Sequence, residues 1–103
     1  MTGPPVPDRA SSLAGFERAF EEGRYFEAHE ILEGYWVAYR GADRELYRAL
    51  VQAAVALHHA RRGNVRGARG VGERARRVLA RYAPEHGGID VARFLLRLEE
   101  GIP

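Results

Sequence analysis

Residues 25–36 read Tyr25-Phe26-Glu27-Ala28-His29-Glu30-Ile31-Leu32-Glu33-Gly34-Tyr35-Trp36 and concentrate one histidine, three glutamates and large aromatics in a single short run. At helical spacing Tyr25, His29, Leu32 and Trp36 fall at i, i+4, i+7 and i+11, which places them on one stripe facing a core. His29 is therefore expected to point inward. Glu30 and Glu33 lie close enough along the same helix for a carboxylate to reach its imidazole. A buried histidine with carboxylate neighbours marks a candidate site without naming its chemistry.

Working outward, this helix is expected to run from about Arg24 or Tyr25 to Arg40 and to end near Gly41. Asp43 follows as the cap of a third helix over about 43–62. So short a connection predicts an antiparallel hairpin, with the third helix alongside the motif. Ala49 to Leu57 is apolar except for Gln52, so the third helix is expected to be wrapped on most sides. His58 continues the stripe Tyr47, Leu50, Val51 and Ala54, whereas His59 shares another face with Gln52.

Upstream, Asp8, Ser11 and Ser12 are candidate caps for a first helix over about 9–22, with Leu13, Phe16 and Phe20 on its apolar side and Gly23 as its stop. Downstream, Asn64 caps a fourth helix that keeps its apolar spacing up to Pro84. Gly67, Gly70 and Gly72 each cost up to ~1 kcal/mol there unless they permit close helix contact. A loop over residues 84–89 precedes a last amphipathic helix, capped by Asp90 and ended at Gly101. No segment alternates like a strand. The expected fold is all-α, a small bundle of four or five helices, with a flexible tail over residues 1–7 and one domain over residues 8–103.

Composition narrows the chemistry. The chain has 103 residues and no cysteine, which excludes disulfides, thiol nucleophiles and Cys-ligated zinc. Its only aliphatic hydroxyls are Thr2, Ser11 and Ser12, near the start, so a hydroxyl nucleophile has little support. No apolar run reaches a membrane span and the first residues do not read as a signal peptide, which points to the cytoplasm. All sixteen basic residues are arginine, and the first fifty positions hold nine acids against six Arg while the rest hold five against ten. Residues 61–81 carry eight Arg and one acid. With only Tyr82 as an aromatic neighbour and no helix-turn-helix pattern, that density reads as a solvated helix face and argues against nucleic-acid binding.

His29, Glu30 and Glu33 form HExxE, which departs from the zincin HExxH at its second ligand. Two readings of these residues stand side by side. In one, His29 and Glu33 ligate a divalent ion (Zn, Mn or Fe), His58 from the neighbouring helix is the third ligand, and Glu30 takes the proton of a metal-bound water. In the other, the same side chains form a buried hydrogen-bond network that fixes helix register, and the domain is a non-enzymatic interaction module. Small domains often complete their burial by pairing, so a homodimer is expected in that case.

The pattern F-x-x-G-x-Y-F-E-A-H-E-x-L-E-x-x-W, from Phe20 and Gly23 through Tyr25, His29, Glu30 and Glu33 to Trp36, resembles the opening signature of the bacterial and archaeal domain-of-unknown-function family 309. Gln52 to His58, followed by Arg62-Gly63-Asn64 and Gly67-Ala68, resembles its second signature. The resemblance spans residues 13–82, and departs from the family pattern where Tyr47-Arg48-Ala49 replaces the usual Leu-Gln-Gly. It implies a helical bundle pairing the two signature helices. The label "predicted metal-dependent hydrolase" attached to the family implies His29, Glu30, Glu33 and His58 as the site, walled by Tyr25 and Trp36.

Overall fold

The structure is a computed structural model that describes residues 8–103; the tail expected over residues 1–7 lies outside the described residues. Five helices follow in order: α1 (Arg9–Glu21), α2 (Tyr25–Ala38), α3 (Arg44–Arg61), α4 (Val65–Tyr82) and α5 (Val91–Gly101). The fold is an all-α bundle, as the periodicity predicts. Three of the expected caps form. The Asp8 carboxylate accepts from the Ser11 N–H at 2.8 Å, the Asn64 side chain from Gly67 N–H at 2.9 Å, and Asp90 from Arg93 N–H at 3.1 Å.

Asp43 behaves differently. It stands at the N-terminus of α3 but makes no side-chain cap. Its carboxylate instead accepts from the Tyr39 hydroxyl on one oxygen and from His86 Nε2, at 3.0 Å, on the other. Burial alone would raise the Asp43 pKa, but the hydrogen bonds from Tyr39 and His86 outweigh it and hold the carboxyl below its ordinary value. The same bond pushes the Tyr39 phenol up to about 12. This contact also explains why α2 stops at Ala38 rather than Arg40. Tyr39 leaves the helix in an extended conformation, its ring stacked on Tyr35 at 5.2 Å and edge-on to Tyr47 at 5.1 Å.

The segment expected to be a plain loop carries a small hairpin, β1 (Glu85–His86) paired antiparallel with β2 (Ile89–Asp90). Its two-residue turn is Gly87-Gly88, with φ of 56° and 84°. A turn with both central residues at positive φ matches the twist of paired strands, and glycine adopts it without steric cost. Ile89 is buried, and Arg9 donates both to the Gly87 carbonyl and, at 2.9 Å, to the Tyr47 hydroxyl. Hairpin, α1 and α3 are thereby tied at one end of the bundle.

α3 is the central element and packs against α2, α4 and α5. Ala49, Ala53, Ala54 and Ala56 are all buried on it, so its neighbours approach closely. Gly72 of α4 continues that closeness. A Cβ there would lie 3.6 Å from the Ala56 Cβ and 2.5 Å from the Ile102 Cδ1. The expected role of a fourth-helix glycine in close contact falls to Gly72. On the other side, Phe16 and Phe20 of α1 meet Phe94 of α5 at 5.6 and 5.0 Å between ring centroids.

Replacing Asp43 should strip two donors, Tyr39 and His86, of one shared acceptor. Asp43→Ala is expected to destabilise the fold by about 1–3 kcal/mol, with Asp43→Asn less severe. Circular-dichroism melting of the two variants, and of Tyr39→Phe with and without Asp43→Ala, should show non-additive losses.

Candidate functional site

On α2 the buried positions are Tyr25, Ala28, Leu32 and Tyr35. At about 100° per residue, this stripe is turned by roughly 50° from the expected one through Tyr25, His29, Leu32 and Trp36. Tyr35 draws the helix round, because its ring packs on both Tyr39 and Tyr47. His29 and Trp36 consequently lie at the edge of the buried face, not at its centre. His29 is mostly covered, its side chain 19% exposed, and sits on the border facing α3 rather than at the centre of the buried face.

His29 Nδ1 lies 2.7 Å from the Phe26 carbonyl oxygen one turn earlier. A carbonyl only accepts, so Nδ1 carries the proton and the neutral ring keeps its lone pair on Nε2. That Nε2 is 3.8 Å from a Glu33 carboxylate oxygen, and the Glu33 side chain is half exposed. The structure therefore brings together His29 and Glu33. Glu30 is exposed on the outer side of α2 and makes no side-chain bond among the described residues.

His58 of α3 meets this edge through an aromatic ring. Phe26 lies 5.0 Å from the His29 ring and 5.4 Å from the His58 ring, centroid to centroid. Among the described residues no group of three or more His, Asp or Glu side chains is placed to hold a metal ion. The donor set expected from His29, Glu33 and His58 thus reduces to one imidazole and one carboxylate on a single helical turn. Such a pair does not fit the ligand count of a structural or catalytic zinc site.

Tyr25 lines a shallow surface pocket together with Phe26 and His58, whereas Trp36 takes no part in it. Tyr25 is buried edge-on to Phe20 at 5.2 Å, with its hydroxyl accepting from Arg97 at 3.3 Å. Trp36 lies beneath two α3 guanidiniums, Arg44 at 4.7 Å and Arg48 at 5.9 Å from its ring. Its indole N–H is buried and finds no acceptor among the described residues. Phe26 is the aromatic that joins the histidines. Its signal in the sequence is its place directly after Tyr25 and three residues before His29, which puts it one turn from the histidine on the helix.

His58 is half-buried, and its pKa is lowered by loss of hydration and then by the positive charge of the nearby Arg62 guanidinium. A histidine whose folded pKa is depressed binds fewer protons in the folded state, so stability rises with pH across the interval between the two values. The contribution is complete above the ordinary imidazole value of 6.5 and is lost as pH falls from there through the folded value. His58→Gln should flatten this loss. Urea midpoints of wild type and variant on either side of that window check it, and equal slopes would remove the assignment.

The half-site lies within the stretch shared with relatives. The family model for a domain of unknown function, DUF309, matches residues 13–71. An uncharacterized protein of Aquifex aeolicus (strain VF5) is 32% identical over 96 residues, covering 92% of this chain and 29% of its own length. The uncharacterized protein YpuF of Bacillus subtilis (strain 168) is 42% identical over 74 residues, 69% of this chain and 42% of its own. This chain therefore spans less than half the length of either relative. No solved structure matches it. Among the described residues no helix is long and apolar enough to cross a membrane. The match from α1 into α4, carrying both the His29-Glu33 turn and His58, makes this chain a member of the DUF309 family.

Proposed function

We propose that the domain is a non-enzymatic interaction module that docks through the outer face of α2, with a second copy of the chain as its occupant. One observation carries this reading. Phe26 and Val37 are 52% and 53% exposed and, eleven residues apart, lie on the same line of the helix. Gly34 and Ala38, also exposed, leave the surface beside that line low, so another helix can approach. Large apolar side chains aligned on one face, with acidic residues around them, suit a protein contact better than a catalytic cleft.

Glu30 and Glu33 belong to this face and would then orient the partner. Antiparallel pairing of two α2 helices sets Phe26 of one copy near Val37 of the other. It also brings carboxylates of the two copies together, so pairing should strengthen when salt screens them.

The hydrolase reading, with His29, Glu33 and His58 as metal ligands and Glu30 as base, has the support of the His29 tautomer. A ring whose Nδ1–H is held by a carbonyl presents Nε2 as metal-binding histidines do. Its weakness is the missing third ligand, and no step of a reaction follows from two donors.

Sedimentation velocity on untagged protein across a concentration series separates the readings. Wild type is expected to approach twice its 11.5 kDa mass, while Phe26→Asp combined with Val37→Asp stays monomeric and melts as wild type does. A wild type that remains monomeric at every concentration and salt level would sink the paired module. Elemental analysis of the same samples tests the other reading. Near-stoichiometric Zn, Mn or Fe, lost in a folded His29→Ala and Glu33→Ala variant, would reinstate the metal.

A further inference from the structure

A concave groove of about 450 Å³ runs between α3 and α4, away from the His29-Glu33 turn. Arg74, Arg77 and Arg81 line it from α4 and Arg48 from α3, together with Gln52 and Val78. Positions 74, 77 and 81 recur at helical spacing, so their guanidiniums share one face. The groove holds one carboxylate, Glu45, and Arg81 already binds it at 2.8 Å. Arg48 and Arg74 have no ion-pair partner among the described residues, and Arg77 reaches Glu73 only at 3.7 Å. Four cations against one anion leave a surplus of about three positive charges facing a small volume.

The surplus has a chemical meaning. Guanidiniums on a solvated face spread apart and pair with neighbouring acids, as Arg76 does with Glu73 at 2.7 Å. Here two helices aim theirs at one space. Arg81 is held in place by its bond to Glu45, while the Arg48 guanidinium lies 5.9 Å from the Trp36 ring and swings into the groove to meet a ligand. Planar forks that converge in this way match the oxygens of phosphate, which they bind in pairs of parallel N–H bonds. No aromatic side chain lines the groove, so it offers a nucleobase nothing to stack on. Its volume suits a small molecule and not a duplex.

We propose that the α3–α4 groove binds a chain of condensed phosphates, with Arg48, Arg74 and Arg77 as its principal contacts. Such a chain occurs free as inorganic polyphosphate or as the tail of a nucleoside triphosphate. The charge balance favours several linked phosphates over one, because a single phosphate neutralises only part of the surplus. This site lies apart from the exposed α2 face and does not rest on the metal question; Arg48 is its link to Trp36 of α2.

Isothermal titration of the full chain with inorganic tripolyphosphate, orthophosphate and ATP, at two salt concentrations, tests it. Tripolyphosphate should bind, weaken with salt, and lose at least tenfold in affinity in an Arg74→Gln and Arg77→Gln variant whose melting is unchanged. Arg40→Gln with Arg93→Gln removes the same charge elsewhere and should leave binding within a factor of two or so. ATP equal to tripolyphosphate identifies the phosphate chain as the whole ligand, and ATP much tighter identifies the nucleotide as its source. Absent tripolyphosphate binding, equal losses in both variants, or tighter binding of an RNA duplex through the same arginines would overturn the proposal.

Discussion

The bundle depends on the narrowness of α3. Four buried alanines on one helix let α2, α4 and α5 close around it, and Gly72 extends the same allowance to α4. In a close-packed interior a single added methylene is felt, so this arrangement tolerates little growth at those positions. Larger side chains supply the volume from outside: Leu32 from α2, Leu79 from α4 and Phe94 from α5, all buried. Helix spacing is thus set by small residues on the centre and large ones on its neighbours.

Much of the fold was legible because caps and periodicity are local. Asp8, Asn64 and Asp90 each sit before an apolar repeat, and each bonds an N–H three residues on, as capping requires. Asp43 occupies the same kind of position and does not cap, because two partners from elsewhere compete for its oxygens. One of them, His86, is 43 residues away, and no local pattern announces it. The hairpin could have been found from Gly87-Gly88, a dipeptide suited to a tight turn, but strands of two residues leave no alternation to detect.

The candidate site was legible in its members and not in their arrangement. His29 and Glu33 meet because they are one turn apart, which spacing alone dictates. Whether His58 joins them depends on how far α2 is rotated about its own axis. Tyr35 contributes a ring to a three-tyrosine cluster and pulls the buried face towards itself, and a stripe counted from His29 cannot register that pull. Phe26 then comes to lie against both histidines. The same rotation that set His29 at the edge of the buried face left Phe26 and Val37 exposed together.

The acidic and basic halves of the sequence become two surfaces with a shared border. Glu30 and Glu33 lie on the outer side of α2, while the α4 arginines face the groove beside α3. Arg48 belongs to both neighbourhoods, since its guanidinium rests over Trp36 of α2 and its side chain lines the groove. A ligand that draws Arg48 into the groove takes it off the indole, and the stacking energy lost, of order 0.5–1 kcal/mol at an exposed site, is the most that one contact can transmit. Trp36 is the chain's only tryptophan, so its fluorescence reports that movement directly. By linkage, whatever Arg48 conveys from groove to α2 it conveys equally in reverse. A partner seated on α2 that leaves Trp36 untouched should therefore leave the groove's affinity untouched as well.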